Sequence, residues 1–151
     1  MKKYLTIIAF AALLLTLISC GGPKTPATAE TFSSLMQEAG YEILDASNQF
    51  DEGVVEIALL AMAEDFQIEF LILPSVQQAT AAFQENKNTF EQSAGSTSSY
   101  SSVSVSNYST YKLSTNGNYY VVSRIDNTMI YVSTEAANRD QVDEALKILG
   151  Y

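Results

Sequence analysis

Asn116-Gly117 stands between two runs of strand-forming residues, Tyr111 to Ser114 and Tyr119 to Val122. A two-residue hairpin turn that matches the twist of its strands needs positive φ at both central positions, which Asn and Gly adopt at least cost. The dipeptide therefore commits the chain to a hairpin and fixes its register: Ser114 opposite Tyr119, Leu113 opposite Tyr120, Tyr111 opposite Val122. Asp126-Asn127 supplies a second turn, pairing Arg124 with Met129 and Val122 with Tyr131. A three-strand antiparallel meander follows, and the rest of the chain has to pack around a sheet.

Upstream, Phe32, Leu35, Met36 and Ala39 fall at helical spacing, and Gly40 is a suitable stop. Tyr41 to Ala46 reads as a short strand and Asn48 to Gly53 as a polar turn. Val54 to Met62 is a continuous apolar run broken only by Glu56, which suits a buried strand or a buried helix. A strand is favoured by what comes next: Phe66, Ile68, Phe70 and Ile72 alternate with polar residues, and Ala63-Glu64-Asp65 makes a hairpin turn. Pro74-Ser75 opens a helix with Val76, Ala79, Phe83 and Phe90 on one face. Of the 26 residues 93–118, ten are Ser, so this stretch reads equally as a low-complexity loop or, through Val103 and Val105, as a polar strand. A last helix runs from Arg139 to Leu149, with Asn138 and Gln141 as a capping pair, Val142, Ala145, Leu146 and Leu149 as buried face, and Gly150 as stop.

The order is thus α-βββ-α-βββ-α, an α+β fold with a mostly antiparallel sheet and helices on one face, in a single domain starting at Thr31. The two βββα halves resemble a degenerate internal repeat. The meander's register gathers Tyr111, Leu113, Tyr120, Val122, Arg124, Met129 and Tyr131 on one side. Lys112, Ser114, Tyr119, Val121, Ser123, Ile130 and Val132 share the other. Both sides are too apolar for open solvent, so either two layers cover the sheet or one side awaits a partner. Tyr111, Tyr120, Tyr131 and Arg124 are residue types enriched in binding hot spots, which makes them the candidate interaction face; the plainer assignment is core.

Composition removes several chemistries. There is no His and no Trp, and Cys20 is the single Cys. Triad catalysis through His, Cys/His zinc sites and an intramolecular disulfide are therefore excluded. Asp45 to Asp51 begins like a calcium loop, yet Phe50 stands where the sharp turn needs Gly. No cofactor and no metal is expected. The formal charge is −9, and −11 once Lys2 and Lys3 are removed with the leader described next, which argues against nucleic acid and anionic lipid as electrostatic partners.

Met1-Lys2-Lys3 followed by an apolar run from Tyr4 to Ile18 has the pattern of a secretory signal peptide, and its 15 residues fall short of a bilayer span. Leu17-Ile18-Ser19-Cys20 resembles the lipobox of bacterial lipoproteins, with Ile18 a less usual residue at its position. The resemblance implies cleavage after residue 19 and a diacylglyceryl group on the Cys20 thiol. It also implies anchoring to the cell membrane on the extracytoplasmic side, with residues 21–30 as a flexible tether. The expected function is a non-enzymatic domain that binds another envelope protein, through the Tyr/Arg face or a sheet edge. Capture of a small ligand is the alternative, and a carboxylate-based envelope hydrolase comes third.

Overall fold

The computed structural model describes residues 22–151, so the expected signal peptide and Cys20 lie outside the described residues. Helix α1 (Ala29–Glu38) leads into strands β1 (Glu42–Asp45), β2 (Ile57–Met62) and β3 (Gln67–Ile72), then helix α2 (Val76–Gln92). Strands β4 (Ser99–Val105), β5 (Tyr108–Thr115), β6 (Asn118–Ile125) and β7 (Thr128–Glu135) follow, and helix α3 (Arg139–Leu149) closes the fold. All seven strands join one sheet in the order β1-β2-β3-β7-β6-β5-β4, and every neighbouring pair is antiparallel. The fold is α+β.

Local chemistry sets the boundaries. Thr28 accepts a hydrogen bond from the Thr31 backbone N–H and starts α1 at Ala29, two residues before the expected domain start. Ser75 does the same for α2 through Gln78. Gly150 ends α3 at φ 80°, whereas the expected Asn138–Gln141 cap is not formed: Asn138 donates to Thr134 instead. Asn116 and Gly117 take φ of 50° and 79°, and every strand pair expected from the two turns is present.

The second half has four strands rather than three, because the serine-rich stretch forms β4 against β5. Helix placement also departs from the one-sided expectation. On one face α1 and α3 cover Ala61, Ile68, Phe70, Val121, Ile130 and Val132, with Phe32 stacked on Phe70 at 4.7 Å. On the other, α2 lays Ala79, Phe83 and Phe90 over Tyr111, Leu113, Val122 and Met129. The apolar alternation on both sides of β6 requires two lids, and the helices after β3 and β7 supply one each. This rules out a rotational repeat. An axis relating the antiparallel β3 and β7 stands normal to the sheet and would place α2 and α3 on the same face.

The segment expected to be a tether is largely folded onto the body. The Lys24 backbone N–H donates to Asn107 Oδ1 at 2.9 Å, Asn107 Nδ2 donates to the Lys24 carbonyl at 2.8 Å, and Lys24 Nζ donates to the Gly150 carbonyl at 2.9 Å. The Lys24 ammonium also lies 4.6 Å from the Tyr108 ring centroid, and Ala27 is buried. Asn107, in the tight β4–β5 turn, offers one donor and one acceptor that match the backbone of an extended residue. Among the described residues no helix is long and apolar enough to cross a membrane.

Candidate functional site

The four residues of the candidate interaction face share one side of the sheet, as their register requires, but that side lies beneath α2. Tyr111 is buried and joins the α2 core, with Tyr100 stacked 6.0 Å away and the Lys87 ammonium 5.5 Å from its ring. Tyr120 and Tyr131 are half-buried around Phe90, at 5.0 and 5.4 Å. Burial pushes the Tyr111 and Tyr131 hydroxyls above their ordinary range, with the charges of Glu91 and Glu69 adding to it. Arg124 stands near the opposite end of β6, only 7% exposed, with Nη1 donating to the Asp126 carbonyl at 2.9 Å and Nε without a partner among the described residues. The face is core, and its tyrosines and Arg124 do not form one cluster.

The open surface lies at the sheet margin. Strand β4 pairs with β5 on one side and, among the described residues, with no strand on the other. Its seven residues carry no charge, and six are exposed, with Tyr100 at 71% and Val103 at 44%. Opposite residues of an antiparallel pair point to the same side, so Tyr100, Ser102 and Ser104 follow Leu113, Tyr111 and Ser109 towards α2. Ser99, Ser101, Val103 and Val105 face the α3 side. A free strand edge of this length and neutrality is a template for a further strand.

Beside it on the α3 side is a small pocket of about 190 Å3 lined by Ser99, Tyr100, Ser101, Lys112, Ser114, Tyr119 and Arg139. Asp143 of α3 holds three of its lining side chains. It accepts from Lys112 Nζ at 2.6 Å and from the Tyr119 hydroxyl at 2.7 Å, and Arg139 Nε lies 3.6 Å away. The Arg139 guanidinium also rests 5.4 Å from the Tyr119 ring. Burial alone would raise the Asp143 carboxyl; the hydrogen bonds from Lys112 and Tyr119 and the charges of Lys112 and Arg139 outweigh it and hold the carboxyl below its ordinary range. The Tyr119 hydroxyl is pushed strongly upward, by burial first and then by its bond to Asp143. Chemically this is a polar recess with two cations and three serine hydroxyls. The Lys112 ammonium is committed to Asp143 and does not stand free as a base beside a serine.

The sequence reading missed this cluster. Its one local signal was Arg139 and Asp143 at i,i+4; the register also put Lys112 and Tyr119 on a common face, but not which helix would meet them. A larger open hollow of about 540 Å3 lies between the end of α1, the β2–β3 turn and α3, rimmed by Glu64, Asp140 and Glu144. Among the described residues, no three His, Cys, Asp or Glu side chains are grouped to hold a metal ion.

No protein-family model and no curated protein matches the sequence. Two solved structures overlap with it loosely. A GTP binding regulator from Thermotoga maritima has 14% identity and a TM-score of 0.44, over 84% of this chain and 90% of its own. The extracellular domain of PknH from Mycobacterium tuberculosis has 10% identity and a TM-score of 0.40, over 86% of this chain and 97% of its own. With overlaps this loose, what those proteins do says nothing of this chain's role.

Proposed function

We propose that this chain is a lipid-anchored, non-enzymatic binding domain on the extracytoplasmic side of a bacterial membrane, and that it takes a strand of another envelope protein along the free edge of β4. The single observation behind the binding mode is that edge: seven residues, uncharged, exposed and unpaired on one side. Backbone hydrogen bonds to an added strand give affinity, and pockets for its alternate side chains give selectivity. The recess of Lys112 and Arg139 lies where such side chains would fall. Anchoring rests on Leu17-Ile18-Ser19-Cys20. The non-enzymatic reading is supported by the absence of His from the sequence and by the pairing of Lys112 with Asp143.

The test is cross-linking in living cells from a photoreactive residue at position 103, with position 44 on β1 as control. A reproducible envelope-protein adduct from 103 alone is the expected result. No protein adduct from either position overturns strand addition and moves weight to a second reading, small-ligand capture. The hollow between α1 and α3 favours that reading, because its volume of about 540 Å3 falls in the range of ligand sites. A ligand seated there would raise the melting temperature of the protein, and Ala39→Trp would cancel the rise.

A further inference from the structure

One end of the molecule is built from the connections that follow β1 and β3, the tight turns Ser106-Asn107 and Asp126-Asn127, and the C-terminal Gly150-Tyr151. The strand registers put them together: Asp45 lies opposite Leu59, Ile57 opposite Ile72, Ile72 opposite Thr128, and Tyr108 opposite Ile125. Tyr151 meets Thr128 through their hydroxyls and so closes the same end. Lys24 is pinned there by Asn107 and Gly150.

This position has a geometric consequence if Cys20 carries lipid, the reading on which the inference rests. Four Cα–Cα steps separate Cys20 from Lys24, a reach of at most ~14 Å when fully extended. An eight-residue strand such as β5 or β6 spans about 27 Å. The anchor therefore draws down the end that holds Lys24, and the far end with Asn116-Gly117 and Ala63-Glu64-Asp65 cannot reach the bilayer in its place.

The near end also carries side chains suited to that contact. Phe50 and Val54, in the connection after β1, are 38% and 48% exposed, and Val76 in the first turn of α2 is 50% exposed. The far-end turns hold no exposed large hydrophobic residue; Tyr100, which is at that end, is a single side chain on the β4 edge. Asp51, Glu52 and Asp126 sit at the near end as well, and the Lys24 ammonium is already engaged with Gly150. Attraction to anionic headgroups cannot be what holds this surface down; apolar contact can, because the acyl anchor supplies the proximity. We infer that this end rests on the bilayer surface with Phe50, Val54 and Val76 seated among the headgroups, so that the strands stand along the membrane normal.

The chain has no Trp, so single-tryptophan variants report position directly. The full-length protein is extracted from membranes and its Cys20 checked for a diacylglyceryl group by mass spectrometry. It is then reconstituted into phosphatidylcholine vesicles whose acyl chains carry a quencher. Phe50→Trp and Val76→Trp are expected to shift to the blue and lose most of their emission, while Glu64→Trp at the far end keeps its own. Phosphatidylglycerol added to the vesicles should weaken the quenching at both near-end positions. A lipidated protein in which Phe50→Trp and Val76→Trp stay unquenched, or in which all three are quenched alike, overturns the orientation and leaves the anchor standing. A protein without lipid on Cys20 overturns both.

Discussion

The two margins of the sheet solve the same problem in different ways. Strand β1 is four residues long, carries Glu42 and Asp45, and gives way at once to a 3-10 turn, Ser47–Gln49. It is short and charged, the means by which exposed edges are kept from pairing with other chains. Strand β4 is nearly twice as long and has none of these defences. The contrast extends beyond the strand: the sequence holds 17 acidic residues, yet none between Glu91 and Asp126. A chain so rich in carboxylates has kept them out of the region whose margin stays open. An unguarded edge is a hazard unless it has a use, so the asymmetry itself argues for strand addition at β4.

The most severe way to break the contrast is to remove the sheet that carries both margins. Phe70 is fully buried and stacks on Phe32 across the centre of the core. Phe70→Ala should cost about 3–5 kcal/mol, read as a lower urea midpoint, and both margins should lose protection together. Gly117→Ala should act on one side. No atom would meet the new Cβ, so the cost of about 1 kcal/mol comes from holding φ near 79°. Hydrogen exchange should then quicken in β4 to β6 and stay unchanged in β1 and β2.

Val103→Lys sharpens the comparison most cleanly. The position is exposed, so stability should change by less than about 0.5 kcal/mol, while a photoreactive residue moved to position 101 on the same strand should no longer capture the partner. Leu44→Lys on β1 should do neither. The smallest effect concerns acid. The Asp143 carboxyl, held below its ordinary 3.8, ties α3 to β5 and β6. A lowered pKa in the folded state contributes stability above the unfolded value and loses it as pH falls through the folded one. Melting temperatures below pH 4 should therefore drop less for Asp143→Asn than for the unaltered chain.

The parts of this fold legible in the sequence were those decided locally. Asn116-Gly117 and Asp126-Asn127 each fix a register within a few residues, and the pairs they dictate are the pairs observed. Serine commits to neither loop nor strand, so β4 became a strand only through its pairing with β5. The alternation in β6 said that both faces were apolar, but not that α2 would cover one and α3 the other. That is why Tyr111, Tyr120 and Tyr131 lie under α2, although the register leaves open whether the side they share with Arg124 is covered. The recess of Lys112 and Asp143 joins residues 31 apart, and no local pattern predicts such a meeting. The docking of Lys24 on Asn107, 83 residues away, escaped notice for the same reason.

The pairing of β3 with β7 at the middle of the sheet sets an order of assembly. Glu69 meets Tyr131 and Ile72 meets Thr128, so this pair closes the longest loop in the sheet, whereas every other strand pair joins neighbours in sequence. Local hairpins form quickly, and contacts across some 60 residues wait for the slow search that loop closure imposes. Two partly folded sheets should therefore precede the native one, and until they dock, β3 and β7 are themselves unpaired margins. Both carry apolar residues that are buried in the finished sheet, Ile68, Phe70 and Leu71 on β3 and Met129, Ile130 and Val132 on β7. The aggregation-prone surface of the newly made chain is thus the centre of the finished sheet, and it is protected only after the last strand has joined.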